Sequence, residues 1–258
     1  MSHSLLVVDV GNTQTVLGIY ENNKLKASWR LETKLHHTED ELAVTVHQLF
    51  MLDGIATSLV DDIIISSVVP PQLPQLVRFC KKIFDIEPLL VIPGIKTGLS
   101  IKVDNPREVG ADRIANAAGG LALYNPPLIL VDFGTAITVD AISSQSEYLG
   151  GTIIPGIGIS LNALNKKAAK LPKVEISKPP SIVGKNTVHA IQAGAYYGYG
   201  SLVDGVVSKM KTTLDGSVTV IATGGEASLI ATASSTIEHV EENLTLIGLH
   251  SIYKKAQS

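Results

Sequence analysis

Leu5-Leu6-Val7-Val8-Asp9-Val10-Gly11-Asn12-Thr13-Gln14-Thr15-Val16-Leu17-Gly18-Ile19-Tyr20 decides the reading of this chain, because its order returns in Leu128-Ile129-Leu130-Val131-Asp132-Phe133-Gly134-Thr135-Ala136-Ile137-Thr138-Val139-Asp140-Ala141-Ile142. In both stretches a run of aliphatic residues leads to an Asp, one further residue and a Gly. Small polar residues follow, and then a second run in which apolar and small residues mix. Four to eight apolar residues bounded by turn formers fit a buried strand better than a helix, so each copy predicts a strand, a tight turn and a return strand. Gly11 and Gly134 are expected to turn the backbone with positive φ and to let a ligand come close.

Asp9 and Asp132 end strands that are apolar on both faces, which opens each acid onto the edge of a buried sheet, where ligands of α/β folds lie. They are 123 residues apart, close to half of the 258-residue chain. The simplest architecture is two related halves, 1–125 and 126–258, with a cleft between them and the two acids facing across it. Two like charges about 4 Å apart repel by roughly 4 kcal/mol at an effective dielectric near 20. A cation is then needed nearby, and a metal ion carrying a polyphosphate suits both the acids and the turn amides. One Asp-x-Gly is often no more than a turn signal; two at matched places argue for a shared site.

Composition narrows the classes. At 258 residues, 45% hydrophobic and 17% charged, the chain can bury a large core in one domain or two closely packed ones. The charged share falls below the usual ~25%, which suggests surface covered by a partner subunit. With 21 Lys and Arg against 24 acids and a net charge of −3, nothing points to nucleic acid or an anionic membrane. A lone cysteine, Cys80, excludes a disulfide framework and makes the reducing cytoplasm the expected location. It lies in a helical pattern that suits a buried, inert thiol. The start, Met1-Ser2-His3-Ser4, leads into a strand without a charged leader. No apolar run nears the ~18 residues of a membrane helix, so a soluble protein is expected.

Between the repeats, Lys24 to Leu31 predicts a third strand after a turn at Glu21-Asn22-Asn23. Thr38 with Glu41 forms a capping box for a helix reaching about Leu52. Asp62 to Val69 predicts a buried strand, Leu73 to Phe84 a helix, and Leu89 to Ile92 a short strand. Asn105-Pro106-Arg107-Glu108 looks like a helix start, the helix running to Tyr124. After the second copy come a strand at Glu147 to Ile154, a helix through Leu161 and Leu164, and a Pro-rich loop from Leu171 to Gly184. A long helix from Thr187 to Met210 carries many small residues, which implies close helix contact and makes it a candidate dimer interface. Val218 to Thr223 predicts a strand, Gly224-Gly225-Glu226 a helix start, and Asn243 to Lys254 a closing helix. The pattern is that of mixed sheets with helices on their faces.

Glycine turns and helix N-termini supply the N–H donors that nucleotide phosphates need. Three places qualify: Gly11 to Thr15, Gly134-Thr135, and Thr223-Gly224-Gly225. Gly184-Lys185 resembles the end of a P-loop, but Pro179 and Asn186 stand where Gly and Ser or Thr belong. Asp132-Phe133-Gly134 spells the protein-kinase metal triplet without that class's catalytic loop, and the histidines lack zinc spacing. If phosphate passes to a hydroxyl, a base must take its proton. Asp112, in Gly110-Ala111-Asp112-Arg113, is the candidate, since Asp is disfavoured inside the expected helix and Gly110-Ala111 leaves room for a ligand. Arg113 suits a carboxylate on the acceptor.

Asp9-Val10-Gly11-Asn12-Thr13, Gly110-Ala111-Asp112-Arg113, Asp132-Phe133-Gly134-Thr135-Ala136, Gly150-Gly151 with Pro155-Gly156, and Thr223-Gly224-Gly225 together resemble the type III pantothenate kinases, in order and across nearly the whole chain. The resemblance implies a duplicated ribonuclease H-like, actin-like ATPase fold of the α/β class. It further implies ATP-dependent phosphorylation of pantothenate at its primary hydroxyl, the first step to coenzyme A, by a cytoplasmic homodimer. On it, Asp9, Val10, Gly11, Asn12, Thr13, Gln14, Thr15 and Val16 hold the ATP phosphates, and Thr135 contacts them too. Asp132 binds a monovalent cation, K⁺ or NH₄⁺, required beside Mg²⁺. Gly110, Ala111, Asp112 and Arg113 bind pantothenate, with Asp112 as proton acceptor, and Thr187 adds a contact at the dimer interface. Val103 departs from the pattern, since many members carry Tyr there, and the pocket wall loses a ring and a hydroxyl. Two other readings are a non-catalytic nucleotide-binding regulatory factor, for which no basic stripe is visible, and a kinase for another small hydroxy acid.

Overall fold

The computed structural model describes residues 3–34 and 38–257. They pack as two compact units. One comprises Met1–Gly98, Asn105–Ala122 and Thr245–Ser258, the other Leu99–Asp104 and Leu123–Leu244. Set beside a cut at residue 125, this grouping places the chain's last helix in the first unit and the short 99–104 stretch in the second.

The first unit is built on β1 (Ser4–Val10), β2 (Gln14–Glu21), β3 (Lys24–Glu32), β4 (Asp62–Ser67) and β5 (Leu89–Leu90), in the order β3-β2-β1-β4-β5. β1, β2 and β3 form an antiparallel meander, and β4 and β5 run parallel to β1. Asn22 and Asn23, at φ 50° and 67°, make the two-residue link between β2 and β3, the geometry that hairpins of this length demand. α1 (Glu39–Leu52) starts at the expected capping box, in which Glu41 N–H donates to Thr38 Oγ1 and Thr38 N–H to Glu41 Oε2. α2 (Leu73–Phe84) follows β4. Both helices cover one face of the sheet, where Val46, Phe50 and Phe79 meet Leu6, Val8 and Ile63. Cys80 lies buried in that core, its thiol pushed up to about 12 by burial and then by Glu87, which keeps it inert.

The expected helix from Asn105 to Tyr124 is two pieces. Asn105 caps only a 3₁₀ turn at Pro106–Glu108, and α3 (Ala111–Leu123) begins after Gly110. Asp112 therefore sits in the opening turn of a helix, where a carboxylate is favoured by the macrodipole, and not in a helix interior.

In the second unit the order is β11-β10-β7-β8-β9-β6, from β6 (Ser100–Ile101), β7 (Leu128–Phe133), β8 (Ala136–Ile142), β9 (Glu147–Pro155), β10 (Thr219–Gly224) and β11 (His239–Val240). Without the added edge strand β6, this is the first sheet again: an antiparallel meander, then two strands parallel to its first member. β6 and β11 are two residues each and escape a sequence reading. α4 (Ile157–Lys167), α5 (Thr187–Lys211) and α6 (Ala227–Ala231) cover the face formed by Ile129, Val131, Phe133, Ile137 and Val139. α6 starts behind its N-cap Glu226, the last residue of the expected helix start Gly224-Gly225-Glu226. The final helix, α7 (Leu244–Gln257), returns to the first unit, where Leu246 meets the bare backbone of Gly18 on β2 and Gly248 rests on the backbone of Ala115 and Gly119 in α3.

Candidate active site

In the first unit the strand register brings Asp9 beside Ser66, and the Ser66 hydroxyl donates to Asp9 Oδ1. Ser66 carries no sequence signal of its own, because only the β1–β4 register makes it a neighbour. The turn from Gly11 to Gln14 is closed by Gly11 N–H donating to Gln14 O at 3.0 Å. Gly11 does not have positive φ, and neither does Gly134. Glycine is needed at 11 for close approach, since a Cβ there would stand 3.0 Å from Gln14 O. Asn12, Thr13 and Gln14 are exposed at the tip, while Thr15 is buried and Val16 pairs across to Asp9.

Gly110 to Arg113 lie at the same carboxyl end of that sheet. A Cβ on Gly110 would be 3.5 Å from Val68 Cγ1, and Val68 N–H donates to Val10 O at 3.0 Å, so the start of α3 is anchored next to the residue that follows Asp9. The room left by Gly110 is occupied by the Asp112 carboxylate itself, not by a free cavity as expected. Asp112 Oδ1 accepts from the Arg113 backbone N–H at 2.7 Å, which fixes the carboxylate against the helix end. Asp112 and Arg113 are both partly exposed. The arrangement offers a carboxylate and a guanidinium on adjacent residues, able to take a proton from a hydroxyl and to hold an acid group.

The second unit repeats the first in its chemistry. Asp132 stands opposite Thr223 on the parallel neighbour, as Asp9 stands opposite Ser66. Gly224, beside Thr223, has a φ of +94°, in the region that favours glycine. A Cβ there would lie 2.6 Å from both Asp132 Oδ1 and Phe133 O. Those two oxygens therefore share a cradle that only glycine leaves open. Gly134 borders the same carboxylate, its Cβ position 3.4 Å from Asp132 Oδ1, and Gly156 at the head of α4 presses on the backbone of Thr135 and Gly134. Thr135 is exposed on this turn. Burial raises the nearby Glu226 carboxyl above its ordinary range.

Among the described residues no three His, Cys, Asp or Glu side chains form a metal cluster. A carboxylate and a carbonyl oxygen in an open cradle are hard donors nonetheless, and they fit a hard cation completed by substrate oxygens rather than one caged by protein. Of the remaining sequence candidates, Val103 packs 3.3 Å from the Cβ position of Gly150, which has φ +99°. Thr187 opens α5 behind the N-cap Asn186, whose Oδ1 accepts from His189 N–H at 2.8 Å. Both belong to the second unit, and Gly110 to Arg113 to the first.

The family model for type III pantothenate kinase matches residues 5–209. This chain belongs to the type III pantothenate kinase family. A type III pantothenate kinase from Geobacillus sp. (strain WCH70) is 56% identical over 251 residues, 97% of each chain. Among solved structures, a conserved candidate transcriptional activator of the Baf family from Campylobacter jejuni superposes with a TM-score of 0.61 at 19% identity, covering 98% of both chains. Component A of (R)-2-hydroxyglutaryl-CoA dehydratase from Acidaminococcus fermentans gives 0.56 at 14% identity, covering 99% of this chain and 100% of its own. At such identities the likeness is one of fold, and the fold class is the duplicated actin-like one.

Proposed function

We propose that the protein phosphorylates pantothenate at its primary hydroxyl with ATP, giving 4'-phosphopantothenate. The observation that carries the assignment of roles is Asp112 in the first turn of α3, anchored through Gly110 and Val68 at the sheet end that carries Asp9 and Ser66. Asp112 takes the proton of the acceptor hydroxyl, and Arg113 pairs with the acceptor carboxylate in bidentate fashion. Gly110, Ala111, Val103 and Thr187 complete the acceptor contacts. The segment Asp9 to Val16 and Thr135 bind the phosphates of ATP. Asp132 with Phe133 O would hold a monovalent cation, K⁺ or NH₄⁺, and Mg²⁺ accompanies the nucleotide; these ions neutralise charge on the phosphates.

The protein acts in the cytoplasm as a homodimer, and 1–125 and 126–258 are the two halves of the ancestral duplication. For the dimer the support is α5: a Cβ at Gly194, Gly198 or Gly205 would meet nothing within 4 Å, while Val188 and Leu202 stand exposed on the same helix. No described helix is long and apolar enough to cross a membrane.

A coupled assay for ADP with pantothenate, Mg²⁺ and ATP, run with and without K⁺, tests the reading. Asp112→Asn is expected to lose roughly 10²- to 10⁴-fold in kcat with an unchanged melting temperature. Full activity in that variant would sink the base assignment, and preference for another short hydroxy acid in a substrate panel would replace pantothenate as the acceptor.

A further inference from the structure

The β1–β2 turn is braced from outside by a residue that is not part of it. Thr33, one residue past the end of β3, makes three hydrogen bonds there: its N–H donates to Thr13 O at 2.9 Å, its hydroxyl donates to Gly11 O at 2.8 Å, and the same Oγ1 lies 2.9 Å from Thr15 Oγ1. With the Thr33 hydrogen committed to Gly11 O, the Thr15 hydroxyl is the donor of the third bond. Two alternate carbonyls of one tight turn are thereby fixed by one residue.

The consequence follows from peptide geometry. In a trans peptide the C=O of one residue and the N–H of the next point in opposite directions. Holding Gly11 O and Thr13 O toward Thr33 turns the N–H groups of Asn12 and Gln14 the other way, as a pair of parallel donors on the side remote from β3. Backbone N–H groups turned to one side offer an anionic oxygen its donors, and here they come from alternate residues of the turn. The Thr33 hydroxyl also occupies the oxygen that Gln14 N–H would otherwise take to close an ordinary four-residue turn. Removal of the hydroxyl frees Gly11 O, so the peptide that carries the Asn12 N–H loses its anchor while Thr13 O stays held by the Thr33 N–H.

We infer that Thr33 is a positioning residue for the phosphate-binding turn: it touches no substrate, and through Gly11 O and Thr13 O it aims the Asn12 and Gln14 amides at the nucleotide's phosphate oxygens. The inference rests on the reading of Asp9 to Val16 as the ATP-phosphate segment. It adds a residue outside every motif that the sequence displays.

The test compares wild type, Thr33→Val, which keeps shape and loses the hydroxyl, and Thr33→Ser, which keeps the hydroxyl. Binding of a non-hydrolysable ATP analogue is measured by calorimetry, and KM for ATP and for pantothenate by the coupled assay. Expected is a weakening of analogue binding and a rise in KM for ATP of about tenfold in Thr33→Val, with KM for pantothenate and melting temperature near wild type, and recovery in Thr33→Ser. A fall in melting temperature with nucleotide binding unchanged, or equal loss in Thr33→Ser, overturns the proposal and leaves the kinase reading standing. Should Thr33→Val fail to fold, Thr33→Ser and Thr33→Ala carry the same comparison. Wild type that binds the analogue but ignores pantothenate refutes the acceptor and not Thr33, whereas wild type that binds no analogue refutes the phosphate segment and Thr33 with it.

Discussion

Gly224 shows how much chemistry a missing methyl can control. A Cβ at this position would sit 2.6 Å from Asp132 Oδ1 and from Phe133 O, at a φ of +94° that side chains resist. Gly224→Ala should therefore displace the carboxylate, and because supporting contacts of this kind are worth roughly 10- to 100-fold in metal affinity, the K⁺ concentration for half-maximal activity should rise by that factor. An activity titration with K⁺ measures it; an unchanged midpoint would remove Asp132 from the cation site. That both acids stand at strand ends was legible from sequence, because each ends an apolar run before a glycine, and the run is repeated. Ser66 and Thr33 were not, since what matters in them is a hydrogen bond set by strand register across 57 and 22 residues. The positive φ expected at Gly11 and Gly134 failed for a related reason: composition announces a turn, while the neighbouring oxygens decide which freedom of glycine is used.

Elements are held in place by contacts as local as these. Asp204 on α5 binds the segment before β11 through Ser234 Oγ, Ser235 N–H and Oγ, and Thr236 N–H and Oγ1. Burial alone would push its carboxyl up, but these bonds outweigh it and bring it down from 3.8 to about 2. A depressed pKa means stability that is present above the unfolded value and is lost as pH falls through the folded one. Asp204→Asn should thus melt below wild type at pH 6, and the gap should close between about pH 4 and pH 2; a gap independent of pH would count against it. In the first unit Gly248→Ala would drive a methyl into the backbone of Ala115 in α3, where Thr245 Oγ1 also reaches Asn116 Oδ1 at 2.6 Å. Overpacking of this kind costs about 1–3 kcal/mol, visible as a lower melting temperature with KM for ATP little changed. Helix ends were the least legible features. Asn105 has the chemistry of a cap and does accept from Arg107 N–H at 3.2 Å, yet the turn it opens stops at Glu108. The two-residue strands β6 and β11 are too short to show any period.

At the scale of the whole molecule, the repeated sheet order is the property most fully written in the sequence, since two matched strand-turn-strand runs at half-chain spacing admit few other folds. The self-association proposed for α5 is tested by sedimentation: wild type should run at twice the chain mass, and Gly194→Glu or Gly198→Glu at the chain mass with unchanged circular dichroism. A monomeric wild type would contradict it. What periodicity could not show is which unit α7 joins, because an amphipathic helix does not name the surface it covers. Its membership in the first unit bears on biosynthesis. Leu246, Leu249 and Ile252 are almost wholly buried there, but the ribosome makes them about 120 residues after α3. At roughly 5–20 residues per second, translation of the intervening stretch takes on the order of ten seconds, and until it ends the Gly18 face of β2 lacks the cover that Leu246 gives it.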